Sequence, residues 1–450
     1  MPSLAAALDR VRRDPLGALD RDVVERACAE AGYAGWRERE LDPATTVALF
    51  AQQVLRGNTP CTEVRHLAGR SFSASAWCQA RSRLPLAVLQ ALTRTVAEAA
   101  LPAARQPQHL WLGHRTFHVD GSSFSMPDTP GLRAAFGLPS GQAEGCGFPA
   151  AHLLVLFSAA TGLLVEAVAS PLRTGDVGGA PGLHHHLSAG DVLLGDDSFG
   201  TYAHLAMLKG AGLNGLFPVH HKRIVDFTPG RPHCPEGRGS VAGMTRAQLV
   251  RSLGEQDQLV VWFKPKARPR WLDAERYAAL PGSILVRELR RTVEAPGGGR
   301  VTLTMVTTLT DPWRYAAAAL LGLRLRRWDV ETNLGHLKTA MGLDVLRCRT
   351  EAGVRKELAV FCLVHNLVRV VMLEAAARQG VPVARVSFTD ALKWMRHARP
   401  GDAMPALVVN PERPGRAEPR CVKRRTKQFD LMNKPRDVLR AALKERRKAA

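Results

Sequence analysis

The stretch GDVLLGDDSFGTYAHLAMLKGAGLNGLFPVH, Gly190 to His220, decides the class of fold. It begins with a short apolar run that ends at Asp196 and Asp197. A loop, an apolar segment with helical spacing and a second strand-like run then follow. Strands and helices that alternate in this way indicate a mixed sheet with helices packed against it, which is an α/β fold.

Two segments upstream add strands to this sheet. The run RTFHVDGSSFSMP is strand-like, with Asp120 in its middle and Gly121 directly after it. The apolar stretch AAHLLVLFSAATGLLVEAVA contains too many polar residues for a membrane span. We interpret it as two strands joined by a turn at residues 160–162, so the order becomes strand, hairpin, strand, helix, strand.

The first part of the chain, residues 1–105, has helical spacing. A break is expected near Gly69, with a new helix capped by Ser71 or Ser73. Short helices around such a break suit a helix-turn-helix-like DNA reader, and an ordinary helical bundle is the alternative. The cations that favour the DNA reader are Arg70, Arg81 and Arg83.

The remaining segments differ in character. Residues 222–302 alternate β-branched runs with Pro and Gly, which predicts a β-rich insertion. Helical spacing returns at 313, and the mostly apolar helix RKELAVFCLVHNLVRVVMLEAAARQG is expected to be buried. The last forty residues carry 14 Lys or Arg and 5 Asp or Glu, so they form a basic tail.

Composition limits the partners and the compartment. The net charge of +21 predicts a polyanionic partner, and double-stranded DNA is favoured over an anionic membrane because no basic amphipathic helix with an apolar face is evident. The 8 cysteines contain no CxxC pair, which indicates reduced thiols in a cytosolic protein. The N-terminal residues lack the apolar core of a signal peptide, so we expect a cytoplasmic location.

Three carboxylates are candidates for metal-assisted phosphoryl transfer, since Mg²⁺ and Mn²⁺ prefer carboxylate oxygen. Asp120 lies in a strand and Asp196 or Asp197 ends one, although an Asp-Gly turn and a helix N-cap are the simpler explanations. The third, Glu331, lies in RRWDVETNLGHLK, where helical spacing places Arg327 and Lys338 near its face. An ion pair on a surface helix would explain that spacing equally well.

Together these segments resemble the DDE transposases of the insertion-sequence IS-four family. Arg327, Glu331 and Lys338 match the R, E and K of the Y-(2)-R-(3)-E-(6)-K pattern. The segments that resemble those around the two aspartates and the glutamate are VDGSSFSMPDTPGLRAAFG, DVLLGDDSFGTY and WDVETNLGHLKTAMGLDVLRCRTEAGVRKELAVFCLVHNLVR. The similarity runs from about residue 40 to 440.

The resemblance implies a fold and a reaction. The fold is an RNase H-like catalytic core with a β-rich insertion and an N-terminal helical DNA-binding domain. The reaction is cut-and-paste excision and integration of an insertion sequence. Water cleaves the strand at the transposon end, and the freed 3′-hydroxyl then joins to target DNA.

The expected division of the chain follows from that fold. It consists of an N-terminal helical DNA-binding domain (1–105), the first part of the core (106–221), the β-rich insertion (222–302), the second part of the core (303–400) and a basic tail (401–450).

The resemblance also implies a set of site residues. Asp120, Asp196 and Glu331 would bind two Mg²⁺ ions, for which Mn²⁺ can substitute. Arg327 and Lys338 would hold phosphates beside the scissile bond. The implied partners are the terminal inverted repeats and target DNA, bound by a dimer.

Two positions depart from the family pattern. The pattern's Tyr falls at Arg324, which can replace it through charge, and the second Asp is followed by Asp197 where the family often has Arg. Trp328 can stack on a base, but packing in the core is favoured over that role. The departures keep two alternatives open: an inactive or repurposed DNA-binding protein of the same fold, and an RNase H-like nuclease that does not join ends.

Overall fold

The computed structural model describes residues 19–36, 40–69, 71–104, 107–141, 143, 145–230, 247–294, 299–398, 402–411 and 433–449. Arg70, one of the cations predicted to favour a DNA reader, lies outside these residues, and so does the basic run VKRRTKQ.

The N-terminal part is helical, as its periodicity predicts. The break falls at Gly69, whose φ of 59° ends one helix, and Ser73 caps the next through a hydrogen bond from the Ala76 N–H. The five helices of this described region are α1 (Arg21–Glu30), α2 (Pro43–Leu55), α3 (Cys61–Ala68), α4 (Ala74–Arg83) and α5 (Leu86–Ala104).

The described strands form a single nine-stranded sheet in the order β3-β2-β1-β4-β5-β9-β8-β7-β6. Those of its first half are β1 (Thr116–Ser125), β2 (Ala150–Ser158), β3 (Leu164–Pro171), β4 (Val192–Leu194) and β5 (Asn214–Pro218). Strand β1 is parallel to β4 and antiparallel to β2, and β4 is parallel to β5. This order and these directions are those of an RNase H-like core, so the mixed α/β fold is confirmed.

The strands of the predicted insertion extend the same sheet. They are β6 (Ala247–Gly254), β7 (Asp257–Phe263), β8 (Ser283–Glu294) and β9 (Arg300–Thr307), and the short helix α9 (Ala274–Ala279) lies between two of them. Strand β9 pairs antiparallel with β5, which connects the insertion strands to the core strands edge to edge.

Side chains alternate between the two faces of the sheet, and each face has its own core. On β2, Leu153 and Val155 pack with one group of buried residues, whereas Leu154 and Leu156 pack with another. The second face is covered by α8 (Tyr202–Gly210), with the short α7 (Asp176–Gly179) beside it, whereas Leu132 and Phe136 of α6 (Pro130–Phe136) pack on the first face. The first face is covered by α10 (Ala317–Leu325), α11 (Trp328–Gly335), α12 (Glu351–Gln379) and α13 (Phe388–His397).

Helix α12 is the central helix of the first face. By length and composition it is the one helix of the described residues that could cross a membrane, but 83% of its most apolar window is buried inside the protein. It is a core helix, as expected from its sequence. The final described helix, α14 (Arg436–Ala449), is exposed along most of its length.

Candidate active site

Strand β1 and the end of β4 bring the first two acids to neighbouring positions. Asp120 lies in the middle of β1, and Asp196 follows β4 by two residues. The last pair of the parallel register is His118 with Leu194, and Asp120 and Asp196 each lie two residues beyond that pair. The negative charge of Asp196 acts on Asp120 and contributes to its raised pKa.

Helix α11 carries the third acid over β1, and Arg327 joins it to the first. The guanidinium of Arg327 donates a hydrogen bond of 2.9 Å to Glu331 Oε1. Its other terminal nitrogen lies 3.6 Å from Asp120 Oδ2. One cation therefore bridges Asp120 and Glu331, and the predicted pairing of Arg327 with Glu331 forms in the structure.

Arg324 is a second arginine whose charge interacts with those of the acids. The charges of Asp196 and Glu331 both act on it, and Arg327 is its cationic neighbour. Burial lowers the pKa of Arg324 to about 10, the charge of Arg327 lowers it as well, and the two carboxylates raise it. Its buried Nε has no hydrogen-bond partner among the described residues.

Burial also sets the protonation of the first aspartate. It raises the pKa of Asp120 to about 6, while Arg327 and the Gly121 N–H lower that pKa and the charge of Asp196 raises it. A carboxylate that is 14% exposed and only partly neutralised by one arginine is poorly stabilised as an anion. Such a group gains stability from any further cation placed beside it.

Lys338 reaches β1 from a different local structure. It lies in a π-helix, His336–Ala340, that continues directly from α11. Its Nζ donates a 3.0 Å hydrogen bond to Ser122 Oγ and lies 3.3 Å from Asp344 Oδ1. Because Ser122 and Asp120 alternate with Gly121, Lys338 lies on the same face of β1 as Arg327.

The two adjacent aspartates after β4 have different surroundings. Asp196 Oδ1 accepts hydrogen bonds from the backbone and hydroxyl of Ser198, so it also caps the turn Asp197–Phe199. Asp197 is 47% exposed and lies 3.5 Å from the ring of His221. The charge of Asp196 contributes to the pKa shifts of Asp120 and Arg324, whereas Asp197 is not among the causes of either shift.

The burial of two side chains, Trp328 and Arg81, differs from what their expected roles require. Trp328 is 66% exposed, so it does not pack in the core. Arg81 is buried: its guanidinium contacts Cys348 Sγ at 2.6 Å and Gln53 Oε1 at 3.3 Å, and it covers the ring of Phe50. This arginine supports packing between the helices and is not available to a DNA reader.

Sequence reasoning overlooked a basic cavity of about 840 Å³ that is lined by the N-terminal helices and by residues 345–350. Its lining includes Arg347 and Arg349, both exposed and without a side-chain partner among the described residues, and contains no carboxylate. The buried carboxylate of Glu357 fixes this loop by accepting hydrogen bonds from the Arg347 and Cys348 N–H groups. The two arginines of the motif RCR were the available signal.

The oxygen-rich donor set suits a hard divalent cation. Among the described residues, however, no group of three His, Cys, Asp or Glu side chains is close enough to hold a metal ion. Arg327 bridges Asp120 and Glu331, so its guanidinium would have to leave these carboxylates before they could share an ion.

Comparison with known proteins identifies the family of the chain. A family model described as Transposase DDE domain matches residues 111–367, which include all three acids. The transposase InsG for insertion sequence element IS4 of Escherichia coli (strain K12) is 26% identical over 459 aligned positions, covering 94% of this chain and 96% of that protein.

Other similarities are more limited. The putative transposase InsZ of the same organism is 27% identical over 206 residues, covering 44% of this chain and 67% of that protein. A cryo-EM structure of a piggyBac transposase synaptic complex with hairpin DNA aligns with a TM-score of 0.41 at 9% identity, covering 85% of this chain and 79% of that one. The family match extends over more than half of the chain, and the chain therefore belongs to the DDE transposases, in the IS4 insertion-sequence family.

Proposed function

We propose that Asp120, Asp196 and Glu331 are the catalytic acids of a metal-dependent DNA cleavage and strand-transfer reaction. The observation that carries this proposal is the arrangement of Asp120 and Glu331 around a single guanidinium. The third acid, Asp196, interacts electrostatically with the same group of residues. These interactions support a common site for the acids of β1, the end of β4 and α11.

The three carboxylates would hold two Mg²⁺ ions, with Mn²⁺ as a substitute. When bound, such ions activate the attacking oxygen and stabilise the leaving oxygen of an in-line displacement. The partly neutralised carboxylate of Asp120 is the strongest support for a cation at this position, since burial disfavours its charge.

The basic residues have separate roles in this proposal. Arg327 exchanges its carboxylate partners for a phosphate of the DNA, which its planar guanidinium can bind through two hydrogen bonds. Lys338 holds a phosphate as a point charge above Ser122. Arg324 keeps Asp196 and Glu331 together in place of the family's Tyr.

The DNA end would approach along the exposed side of α11. Trp328 stands there with 66% of its surface free, so it can stack on a base of the DNA. Arg347 and Arg349 extend the positive surface beyond Lys338. Sequence-independent contact with phosphates of double-stranded DNA is the expected role of such unpaired cations.

The assembly is proposed on the same basis. Residues 1–105 form the helical DNA-binding domain, and the core (106–221 and 303–400) is interrupted by the insertion at 222–302. The tail at 401–450 adds positive charge. A dimer binds the two inverted repeats, and the reaction takes place on DNA in the bacterial cytosol.

In the reaction, water attacks a phosphodiester at the transposon end, and the bond from phosphorus to the 3′-oxygen breaks. The freed 3′-hydroxyl then attacks a phosphodiester of the target, so one P–O bond forms as another is broken.

The test is strand cleavage of a duplex that ends in the repeats flanking the gene, with and without Mg²⁺. We expect Asp120→Asn, Asp196→Asn and Glu331→Gln each to lower the cleavage rate by at least about a thousandfold, with unchanged circular dichroism. Asp197→Asn is the matched control and should retain cleavage.

The products distinguish the alternatives. Joined donor and target strands support the transposase reaction, whereas cleavage without joining indicates a nuclease. DNA binding without any cleavage by the wild-type chain indicates an inactive copy. Cleavage by all three acid variants at the wild-type rate would exclude the proposed site.

A further inference from the structure

A histidine–aspartate pair lies behind the catalytic acids. His152, on β2, is 8% exposed, and its Nε2 lies 2.5 Å from Oδ1 of Asp176, the first residue of α7. Its Nδ1 lies 3.3 Å from the hydroxyl of Ser170 on the neighbouring strand β3. Both ring nitrogens therefore have a partner, and the imidazole fixes the Asp176 carboxylate against the sheet.

That carboxylate contacts the backbone of the residue after Asp120. A Cβ atom placed on Gly121 would lie 2.0 Å from Asp176 Oδ1 and 2.4 Å from its Cγ, so only glycine permits this approach. Successive residues of a strand face opposite sides of the sheet. Asp120 therefore faces Arg327, and Gly121 presents its bare backbone to Asp176 on the other side.

The position of α7 extends this contact towards the second acid. The helix packs beside the turn Asp197–Phe199, which directly follows Asp196. The charge of Asp176 acts on Asp120 in the same direction as that of Asp196, since both raise its pKa. Among the described residues Asp176 forms its side-chain hydrogen bond and ion pair with His152, and no lysine or arginine side chain neutralises it.

We propose that Asp176, held in place by His152, is a positioning residue that increases the affinity of the catalytic acids for a divalent cation. The proposal rests on the metal-binding role proposed above for Asp120, Asp196 and Glu331. A fixed negative charge behind β1 makes the potential at Asp120 more negative. Its attraction for a doubly charged ion is twice that for a singly charged one.

A purely structural role is the competing explanation. In that case the pair only anchors α7 to the sheet, and its loss lowers the stability of the fold without a specific effect on cations. The two explanations differ in their dependence on salt, because added salt screens a charge interaction at a partly exposed group but leaves packing unchanged. The side chain of Asp176 is 28% exposed, so part of its effect is open to screening.

The experiment measures Mn²⁺ binding to the full-length protein without DNA, by electron paramagnetic resonance of the free ion. Asp176→Asn removes the charge and keeps the shape. We expect it to weaken Mn²⁺ binding roughly tenfold at low salt, and we expect this ratio to shrink at 1 M NaCl. Glu275→Gln, an exposed acid on α9, is the matched control and should bind Mn²⁺ as the wild type does.

The Asp120→Asn variant separates the two proposals. If it loses Mn²⁺ binding while Asp176→Asn binds normally, the role of Asp176 is overturned and the metal site stands. If Asp120→Asn binds Mn²⁺ as tightly as the wild type, the proposed metal site itself fails. A tenfold effect of Asp176→Asn that is unchanged in 1 M NaCl would favour the structural explanation and overturn the proposal.

A second route covers the case in which Asp176→Asn does not fold. Gly121→Ala keeps every charge but forces the Asp176 carboxylate away, so it should weaken Mn²⁺ binding by a similar factor. In an Asp176→Ala background the obstructing carboxylate is absent, and Gly121→Ala should then add no further loss. Unchanged Mn²⁺ affinity in Gly121→Ala, or an equal loss in both backgrounds, would contradict the proposal.

Discussion

Two clusters of arginine and carboxylate in the same sheet differ in how completely their charges are satisfied. In the extension of the sheet, Arg287 on β8 forms hydrogen bonds of 2.8 and 2.6 Å to both oxygens of Asp257 and a third to the Tyr315 carbonyl. The side chains of Arg287 and Asp257 are 2% and 6% exposed. This closed pair has no capacity left for a ligand.

The cluster at the catalytic acids is open. Arg327 is shared between Asp120, at 3.6 Å, and Glu331, at 2.9 Å, and the side chain of Glu331 is 47% exposed. The arginine is therefore divided between two carboxylates and accessible from solvent. The comparison shows that incomplete neutralisation distinguishes a site from a structural ion pair, because only the open cluster gains stability from a further partner.

Breaking the closed pair should give the largest effect. Asp257→Asn leaves Arg287 buried without its counter-charge, so we expect a loss of about 3–5 kcal/mol in the free energy of unfolding, measured by urea titration. Replacing both partners, as in Asp257→Leu with Arg287→Met, should recover most of that loss. A single variant as stable as the wild type would show that the closed pair is not a structural element.

Breaking the open cluster should affect the reaction more than the fold. Arg327→Gln removes the proposed phosphate ligand, and we expect DNA cleavage to slow about a hundredfold. Its unfolding free energy should change by less than about 1 kcal/mol, since the ion pair with Glu331 is partly exposed. Arg355→Gln removes an i,i+4 partner of Glu351 on α12 and serves as the control with unchanged cleavage. A large loss of stability in Arg327→Gln would make the open cluster structural as well.

The buried imidazoles of His184 and His204 form a third cluster, in which neither group has a partner of opposite charge. His204 Nδ1 lies 2.9 Å from the Phe199 carbonyl, and its Nε2 lies 3.1 Å from Nε2 of His184. Burial lowers the pKa of His204 to about 3, and the charge of His184 lowers it as well. Burial also lowers the pKa of His184 to about 4.

The sign of the pH effect follows from these depressed pKa values. Below pH 6.5 these imidazoles bind protons in the unfolded chain but stay neutral in the folded one. The free energy of unfolding therefore falls as the pH drops towards 4, and their contribution is fully present above pH 6.5. Between pH 7 and pH 5 the free energy of unfolding should fall by roughly 2 kcal/mol less in His204→Gln than in the wild type, as measured by urea titration at both pH values. An equal pH dependence in wild type and variant would show that His204 does not contribute.

Much of the fold was predictable because it depends on local patterns. The alternation around Asp120, the hairpin turn and the helix after Asp197 all follow from spacing along the chain, and the structure contains β1, the β2–β3 hairpin and α8 where they were expected. The assignment of catalytic roles to Asp120, Asp196 and Glu331 stays a prediction. Its support is that the fold brings these residues to one face of the core.

Other features depended on contacts that no local pattern contains. Trp328 follows an arginine in an apolar helical region, which favoured burial, yet the orientation of α11 on the sheet leaves it exposed. No local pattern predicts the proximity of Asp176 to Gly121, because the two residues are 55 positions apart in the chain and meet only in the folded protein. The insertion resembled a separate β-rich unit, but β9 pairs with β5 in the same sheet.

The sequence by itself determined the class of the strands and helices, the order of the three acids and the strong positive charge. These properties arise from residue types and from periodicity, which a single chain displays directly. Only the tertiary structure decided that Arg327 bridges Asp120 and Glu331, that the charges of Asp196 and Glu331 act on Arg324, and that Asp176 lies against the backbone of Gly121. Those relations depend on sheet register and helix packing, which bring together residues that are far apart in the chain.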